Sequence, residues 1–291
     1  MASSGRLVYT AAMPRTRALR RTSIAAALCL ALASCASFPP LGVDRVREFT
    51  VETPDAGAEL DGYRIALVTD VHYGNRFSRA RLDALVEAVN ALGADCVILG
   101  GDHTLGYAQI APFAEAAGRI RARDGVFAVV GNHDFFNGRS ATIRTLRAAG
   151  IVVLDETVVE TPRGVFFAGT NDLRDVFPTM GPFLEILPPR DRFTVLVTHN
   201  PDLAAEIDLS PFDLVLSGHT HGGQITVRGY APIIPSEYGQ RFRSGWVDVG
   251  GTPVIVSNGV GYGGSVLRFR VGAPSEIIVI TVRSTAREKG R

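Results

Sequence analysis

A four-layer α/β/β/α sandwich in one domain is the fold class this sequence predicts, and three observations predict it. From about residue 45 onward, short apolar runs alternate with stretches of helical periodicity. The second half is richer in short β-type runs than the first, so helices and two sheets must share a layered core. The 291 residues with 46% hydrophobic content suffice for one substantial core.

The elements follow in order. Residues 65–69 read as a buried strand. Residues 78–92 carry Leu82, Leu85, Val86 and Val89 at helical spacing, with Ser78 as N-cap. Residues 97–99 read as a strand, and Cys96 beside them as a structural thiol. A helix follows over 110–120, a strand over 126–130, and a helix over 142–149 that Gly150 stops. Strands are expected at 152–154, 158–160, 165–168, 194–197, 214–216, 254–256, 266–270 and 277–282, with a helix after Pro201. The Arg79 and Arg81 pair reads as a solvated helix face. The stretch 230–246, with Tyr238, Arg241, Phe242, Arg243 and Trp246, reads as a surface loop or a headgroup contact. Asn75, Arg76 and Phe77 are candidates for substrate contact, and Asn171 with Asp172 reads as a turn.

The formal net charge of +1 gives no electrostatic case for a nucleic-acid partner. Residues 1–40 read as a targeting segment and tether. Arg15, Arg17, Arg20 and Arg21 precede an apolar run over 24–32, then Leu32-Ala33-Ser34-Cys35. That order is similar to a lipoprotein signal, which implies cleavage before Cys35 and a lipid on it. A plain secretory signal and a retained N-terminal anchor are the alternatives; the run is short for a membrane span, which takes about 20 residues. Residues 41–285 form the predicted domain and 286–291 a tail. The expected location is the cell envelope, outside the cytoplasm, or the inner membrane if the anchor is retained. Cys29, Cys35 and Cys96 show neither zinc spacing nor an evident disulfide pair.

Five short motifs fall where a predicted strand has just ended: Asp70-Val71-His72, Gly100-Gly101-Asp102, Gly131-Asn132-His133-Asp134, Thr198-His199-Asn200, and Gly218-His219-Thr220-His221-Gly222-Gly223. Five of the six histidines lie inside them. Carboxylates supply charge, imidazoles suit borderline metals, and the amide of Asn132 adds an oxygen without charge. Two divalent cations about 3.5–4 Å apart clamp phosphoryl oxygens and lower the pKa of a shared water. A histidine beside an acid suits protonation of a leaving oxygen. The pattern therefore predicts a dinuclear centre, with Mn, Fe, Zn or Co all admitted by mixed oxygen and nitrogen ligands.

In this order the motifs resemble the calcineurin-like metallophosphoesterases over about residues 64 to 282. The Gly-His-Thr-His-Gly-Gly-Gln form resembles its bacterial membrane-associated phosphodiesterases, as do Thr198-His199-Asn200-Pro201-Asp202 and Ser257-Asn258-Gly259-Val260-Gly261. The resemblance implies a hydrolase of phosphate esters. It implies Asp70, His72 and His221 on a first metal, Asp102 bridging, and Asn132, His199 and His219 on a second. It makes His133 the acid or transition-state donor and Asp134 its orienting partner. His103 departs from the subgroup, and a supporting, a substrate-facing and an exposed placement all stay open. The expected substrate is a phosphodiester or pyrophosphate, extending to one linked to a membrane lipid. Alternatives are a UDP-2,3-diacylglucosamine-type pyrophosphate in lipid A synthesis, which is cytoplasmic, and a non-catalytic metal-binding lipoprotein.

Overall fold

Side chains alternate across each apolar run, and that alternation sorts the core into layers. The computed structural model describes residues 42–74, 77–170, 180–263 and 269–285. The targeting segment with Cys29 and Cys35, Asn75, Arg76, Asn171, Asp172, residues 266–268 and the tail lie outside the described residues.

The first sheet has the order β1-β12-β2-β3-β4-β5. Its strands are β1 (Arg45–Thr53), β2 (Arg64–Val68), β3 (Cys96–Gly100), β4 (Val126–Val129), β5 (Val152–Val153) and β12 (Glu276–Ser284). The second has the order β10-β11-β9-β8-β7-β6. It comprises β6 (Thr157–Glu160), β7 (Phe166–Gly169), β8 (Thr194–Val197), β9 (Leu214–Ser217), β10 (Gly245–Val249) and β11 (Thr252–Val256). Ile65, Leu67, Cys96 and Ile98 of the first sheet meet Phe167, Val195, Val197 and Leu214 of the second in a shared inner core. The alternate residues Ala66, Val68, Val97 and Leu99 point outward, onto helix residues Leu82, Leu85, Phe113 and Leu146. On the outer face of the second sheet, Leu196 and Val215 pack with Phe183, Ala204, Phe212 and Phe242. These are the four layers that the sequence predicts, with a thin outer layer on the second sheet.

Helix α1 (Arg79–Ala91) begins where Ser78 accepts the Arg81 amide at 3.2 Å, and Leu82, Leu85, Val86 and Val89 are buried. Helix α2 (Ile110–Ala117) stops at Gly118, short of the predicted residue 120. Helix α3 (Asn132–Ala148) corrects the sequence reading more substantially, because it starts ten residues before the predicted residue 142. Gly138, with φ 125° and ψ 67°, kinks it, and residues before the kink are too polar to show helical periodicity. Helices α4 (Met180–Glu185) and α5 (Leu203–Glu206) are short, and α5 follows Pro201 as predicted.

Strands β1 and β10 were not read from the sequence. Both are edge strands with largely exposed residues, so neither offers an apolar run. The predicted strand at 266–270 is corrected where it is described, since Phe269 and Arg270 lie outside any strand. Within the stretch 230–246, Phe242 is buried in the outer core and residues 245–246 open β10, so it is not a plain loop. Phe77 is likewise core rather than surface. Among the described residues, no helix is long and apolar enough to cross a membrane.

Candidate metal centre

Strands β2 to β5 run parallel, as do β7, β8, β9 and β11. Chain leaving the C-terminal end of a strand has spent its ladder hydrogen bonds and is free to turn. Asp70, Asp102, His199 and His219 each lie two residues beyond the end of β2, β3, β8 and β9. Asn132 opens α3 just after β4. Two sheets thus deliver polar side chains to one end of the inner core.

The turns there are tight. Asp70, His72, Asp102, His219 and His221 all have positive φ, between 48° and 68°. They are most of the non-glycine residues in that conformation among the described residues, and such strain collects at functional sites. Two glycines make room. A Cβ on Gly131 would stand 2.3 Å from Asp102 Oδ1, and one on Gly218 would stand 2.4 Å from Asp70 Oδ2.

Donor atoms converge at this end of the sheets. Groups of candidate ligand atoms within 4.8 Å of one another are Asp70, His72 and His221; His72, Asp102 and His133; and Asp102, His199 and His219. Asp102 links the ends, its Oδ2 lying 3.5 Å from His72 Nε2 and 3.4 Å from His199 Nε2. His221 Nε2 is 3.4 Å from Asp70 Oδ1 and 3.1 Å from His72 Nε2. Asn132 Oδ1 is buried with no hydrogen-bond partner among the described residues. An isolated buried acceptor is costly, so an atom placed this way among carboxylates and imidazoles fits a cation.

Supporting bonds aim these groups. His199 Nδ1 faces Gly100 O at 2.8 Å, which turns Nε2 into the site. The His219 amide donates to Asp70, and the His133 amide donates to Asp102 Oδ1 at 2.8 Å. Burial holds the His72 imidazole down to about 3 and His221 well below its ordinary value, so both are neutral donors at pH 7. Burial also pushes Asp70 up to about 6. Burial opposes ionisation of Asp102, but His199, His72 and His133 outweigh it and hold that carboxyl well below its usual range.

His133 is half-buried, and its ring stands edge-on to His72 with centroids 4.8 Å apart. The expectation that Asp134 orients this ring is not met by the hydrogen bonds. Asp134 Oδ1 accepts the His103 amide and Oδ2 the Gly131 amide, each at 3.0 Å. Adjacent helical residues point about 100° apart, so Asp134 turns into the core and caps the helix start instead. His103 is neither exposed nor substrate-facing. It is buried, stacks on Phe113, and faces Val129 O at 3.0 Å and Asp134 at 3.8 Å.

The sequence reading made Arg270 the end of a strand and gave it no part in the site. It is buried, and its guanidinium reaches the carbonyls of His221, Asn258, Gly259, Gly261 and Ala273, with Nη2 3.2 Å from His221 Nδ1. One side chain therefore ties the His221 turn to the 258–261 and 273 segments. No local signal marks it, because an arginine between Phe269 and Val271 reads as an alternating strand.

Residues 63–223 match the calcineurin-like phosphoesterase family. The chain is similar to the metallophosphoesterase YkuE of Bacillus subtilis, with 29% identity over 246 residues, 82% of this chain and 85% of the relative. It is similar to the metallophosphoesterase Cj0846 of Campylobacter jejuni at 30% identity, over 84% of this chain and 64% of that longer protein. It is 32% identical to the phosphodiesterase YaeI of Escherichia coli over 231 residues, 75% of this chain and 81% of the relative. With a fold of two helix-flanked sheets and clustered candidate metal ligands at their shared end, the chain belongs to the calcineurin-like phosphoesterases, and it is a phosphate-ester hydrolase.

Proposed function

We propose that this enzyme hydrolyses phosphodiester or pyrophosphate bonds with two divalent cations. Asp70, His72 and His221 hold one, Asn132, His199 and His219 hold the other, and Asp102 serves both. The observation that carries this reading is the place of Asp102, whose Oδ2 lies within 3.5 Å of an imidazole nitrogen from each group. Bound cations of this kind neutralise phosphoryl oxygens and lower the pKa of water.

The chain's own groups supply the rest. His133 is the half-buried imidazole beside the buried ligands, and it gives a proton to the leaving oxygen. Its backbone is fixed by its bond to Asp102, so acid and ligand share one frame. Asp134 keeps the helix start, and with it His133 and Asn132, in place through Gly131 and His103. The name of the YaeI relative, a phosphodiesterase, supports a diester over a monoester. The basic N-terminal segment with its apolar run supports a tether, through a lipid on Cys35 or a retained anchor, and a substrate in the membrane.

The test is turnover of bis(p-nitrophenyl) phosphate with and without added Mn²⁺, for wild type and Asp102→Ala. Loss of turnover in the variant and in chelated wild type, with circular dichroism unchanged, is expected. Full activity of metal-stripped protein overturns the reading. A reporter fused at residue 40 separates an exported domain from one facing the cytoplasm, where a UDP-diacylglucosamine-type pyrophosphate would be available.

A further inference from the structure

Six residues beyond His221 the chain makes a turn over residues 227–230 that is rigid yet apolar outside. Its ends exchange backbone hydrogen bonds, Val227 N to Tyr230 O at 2.9 Å and Tyr230 N to Val227 O at 3.1 Å. Below it, buried Ala231 exchanges hydrogen bonds with the Gln240 side chain. Ala231 also packs so closely on the metal-ligand loop that a Cβ on Gly223 would meet it at 2.2 Å. Thr226 N is held by Val271 O at 2.7 Å. Despite this bracing, Val227, Tyr230 and Ile233 remain 64%, 61% and 80% exposed. Arg228 stands exposed at the corner of the turn, and no acidic residue occurs from Leu214 to Ser236.

The place where β1 begins points to what covers this patch. Strand β1 is parallel to β12, which is antiparallel to β2, so β1 starts at the end where β2 finishes. Just before it, Gly42 O accepts Arg81 Nε at 3.0 Å, and Arg81 Nη2 donates to Val260 O at 3.0 Å. Val260 N in turn binds Thr69 O, beside Asp70. Arg81 is therefore a half-buried clamp rather than the solvated residue its sequence suggests. Residue 42, ten residues past the apolar run at 24–32 in sequence, thus lies at the metal-site end. Tyr107 and Phe136, 68% and 72% exposed, follow β3 and β4 at that same end.

We propose that the 227–230 turn and Ile233 form a membrane-docking element that seats the metal-site end on a bilayer containing anionic lipids. Tyrosine suits the headgroup level, Val227 and Ile233 suit the acyl boundary, and Arg228 pairs with lipid phosphates. The inference rests on the proposed function only in taking the substrate to lie in that bilayer; docking itself does not depend on it.

The test uses the full chain and phosphatidylcholine vesicles with or without phosphatidylglycerol. In a Trp246→Phe background, Tyr230→Trp places the sole tryptophan in the turn. Its emission is quenched by lipids brominated on the acyl chain, whereas a tryptophan at Val152, at the opposite end of the first sheet, is not. Arg228→Gln weakens quenching by anionic vesicles about fivefold. Val227→Asp with Ile233→Asp lowers turnover of a bilayer-embedded phosphodiester about tenfold or more and leaves bis(p-nitrophenyl) phosphate turnover unchanged. A tryptophan at 230 that stays unquenched on vesicle-bound protein overturns the proposal. So does sedimentation showing that Ile233→Asp splits a dimer while residue 230 stays unquenched, since a second copy then covers the patch. Quenching without turnover of the soluble diester defeats the proposed function but not the docking.

Discussion

Replacing Arg270 by methionine keeps most of the side-chain volume and removes every donor. Five carbonyls lose a bond. His221 O still has the Gln224 amide and Gly259 O the Glu276 amide, while Asn258, Gly261 and Ala273 have no other backbone donor among the described residues. Three buried acceptors at about 1–3 kcal/mol each, offset by relief of the guanidinium's desolvation, give a net loss of about 3–5 kcal/mol. That is a large share of a typical domain stability of about 5–15 kcal/mol. Burial lowers the Arg270 pKa only to about 10, so the charge is present at pH 7 and the bonds removed are charge-assisted. Urea unfolding at pH 7, run metal-free to keep ligand binding out of the measurement, reads the change. Metal content after dialysis reads the second consequence, a looser His221. Arg270→Lys recovers little, because one ammonium cannot span carbonyls on three segments. A methionine variant within about 1 kcal/mol of wild type, with metal content unchanged, would refute the reasoning.

Three further outcomes are expected. His133→Ala lowers kcat for a soluble diester by about 10²–10⁴ with metal content intact, measured by steady-state kinetics and elemental analysis; loss of the metals would make it a ligand instead. Gly131→Ala sets a methyl against Asp102 Oδ1 and its amide, so both melting temperature and metal content fall, whereas Gly93→Ala, with open space around its Cβ position, strains only its backbone and keeps the metals. The metal-free protein loses stability as pH falls through about 6.5 toward 6. His72, at about 3 when folded against 6.5 unfolded, and His221, lowered likewise, leave the unfolded chain binding more protons there. Below about 6 the raised Asp70 acts in the opposite sense and offsets part of the loss. A urea midpoint that is flat or rising from pH 7.5 to 6 would contradict this.

What was legible in the sequence was legible because local rules produce it. Strands β3, β8 and β9 are fully buried, as is β2 after Arg64, so they appear as nearly unbroken apolar runs, and the polar residues after them stand out against that background. Helix α1 shows its period and its serine cap in consecutive residues. Edge strands β1 and β10 lack such contrast, because one face and one edge meet solvent. The first half of α3 was hidden for a different reason: its residues are chosen for the metal centre and not for helical amphipathicity.

The sequence by itself determined the donor types, their order and their positions at strand ends, since spacing of two residues past a strand is a one-dimensional property. It also determined the four layers, through the faces on which apolar residues alternate. The tertiary structure alone decided that Asp102 lies between two histidine groups, because His72 and His199 come from different sheets. It decided that Asp134 serves the helix start and His103 rather than His133, since helical rotation separates neighbours. It decided, finally, that Arg270 holds His221 from 49 residues away in sequence. Such a bond depends on where residues 258–261 and 270–273 come to lie beside His221, and no local pattern encodes that.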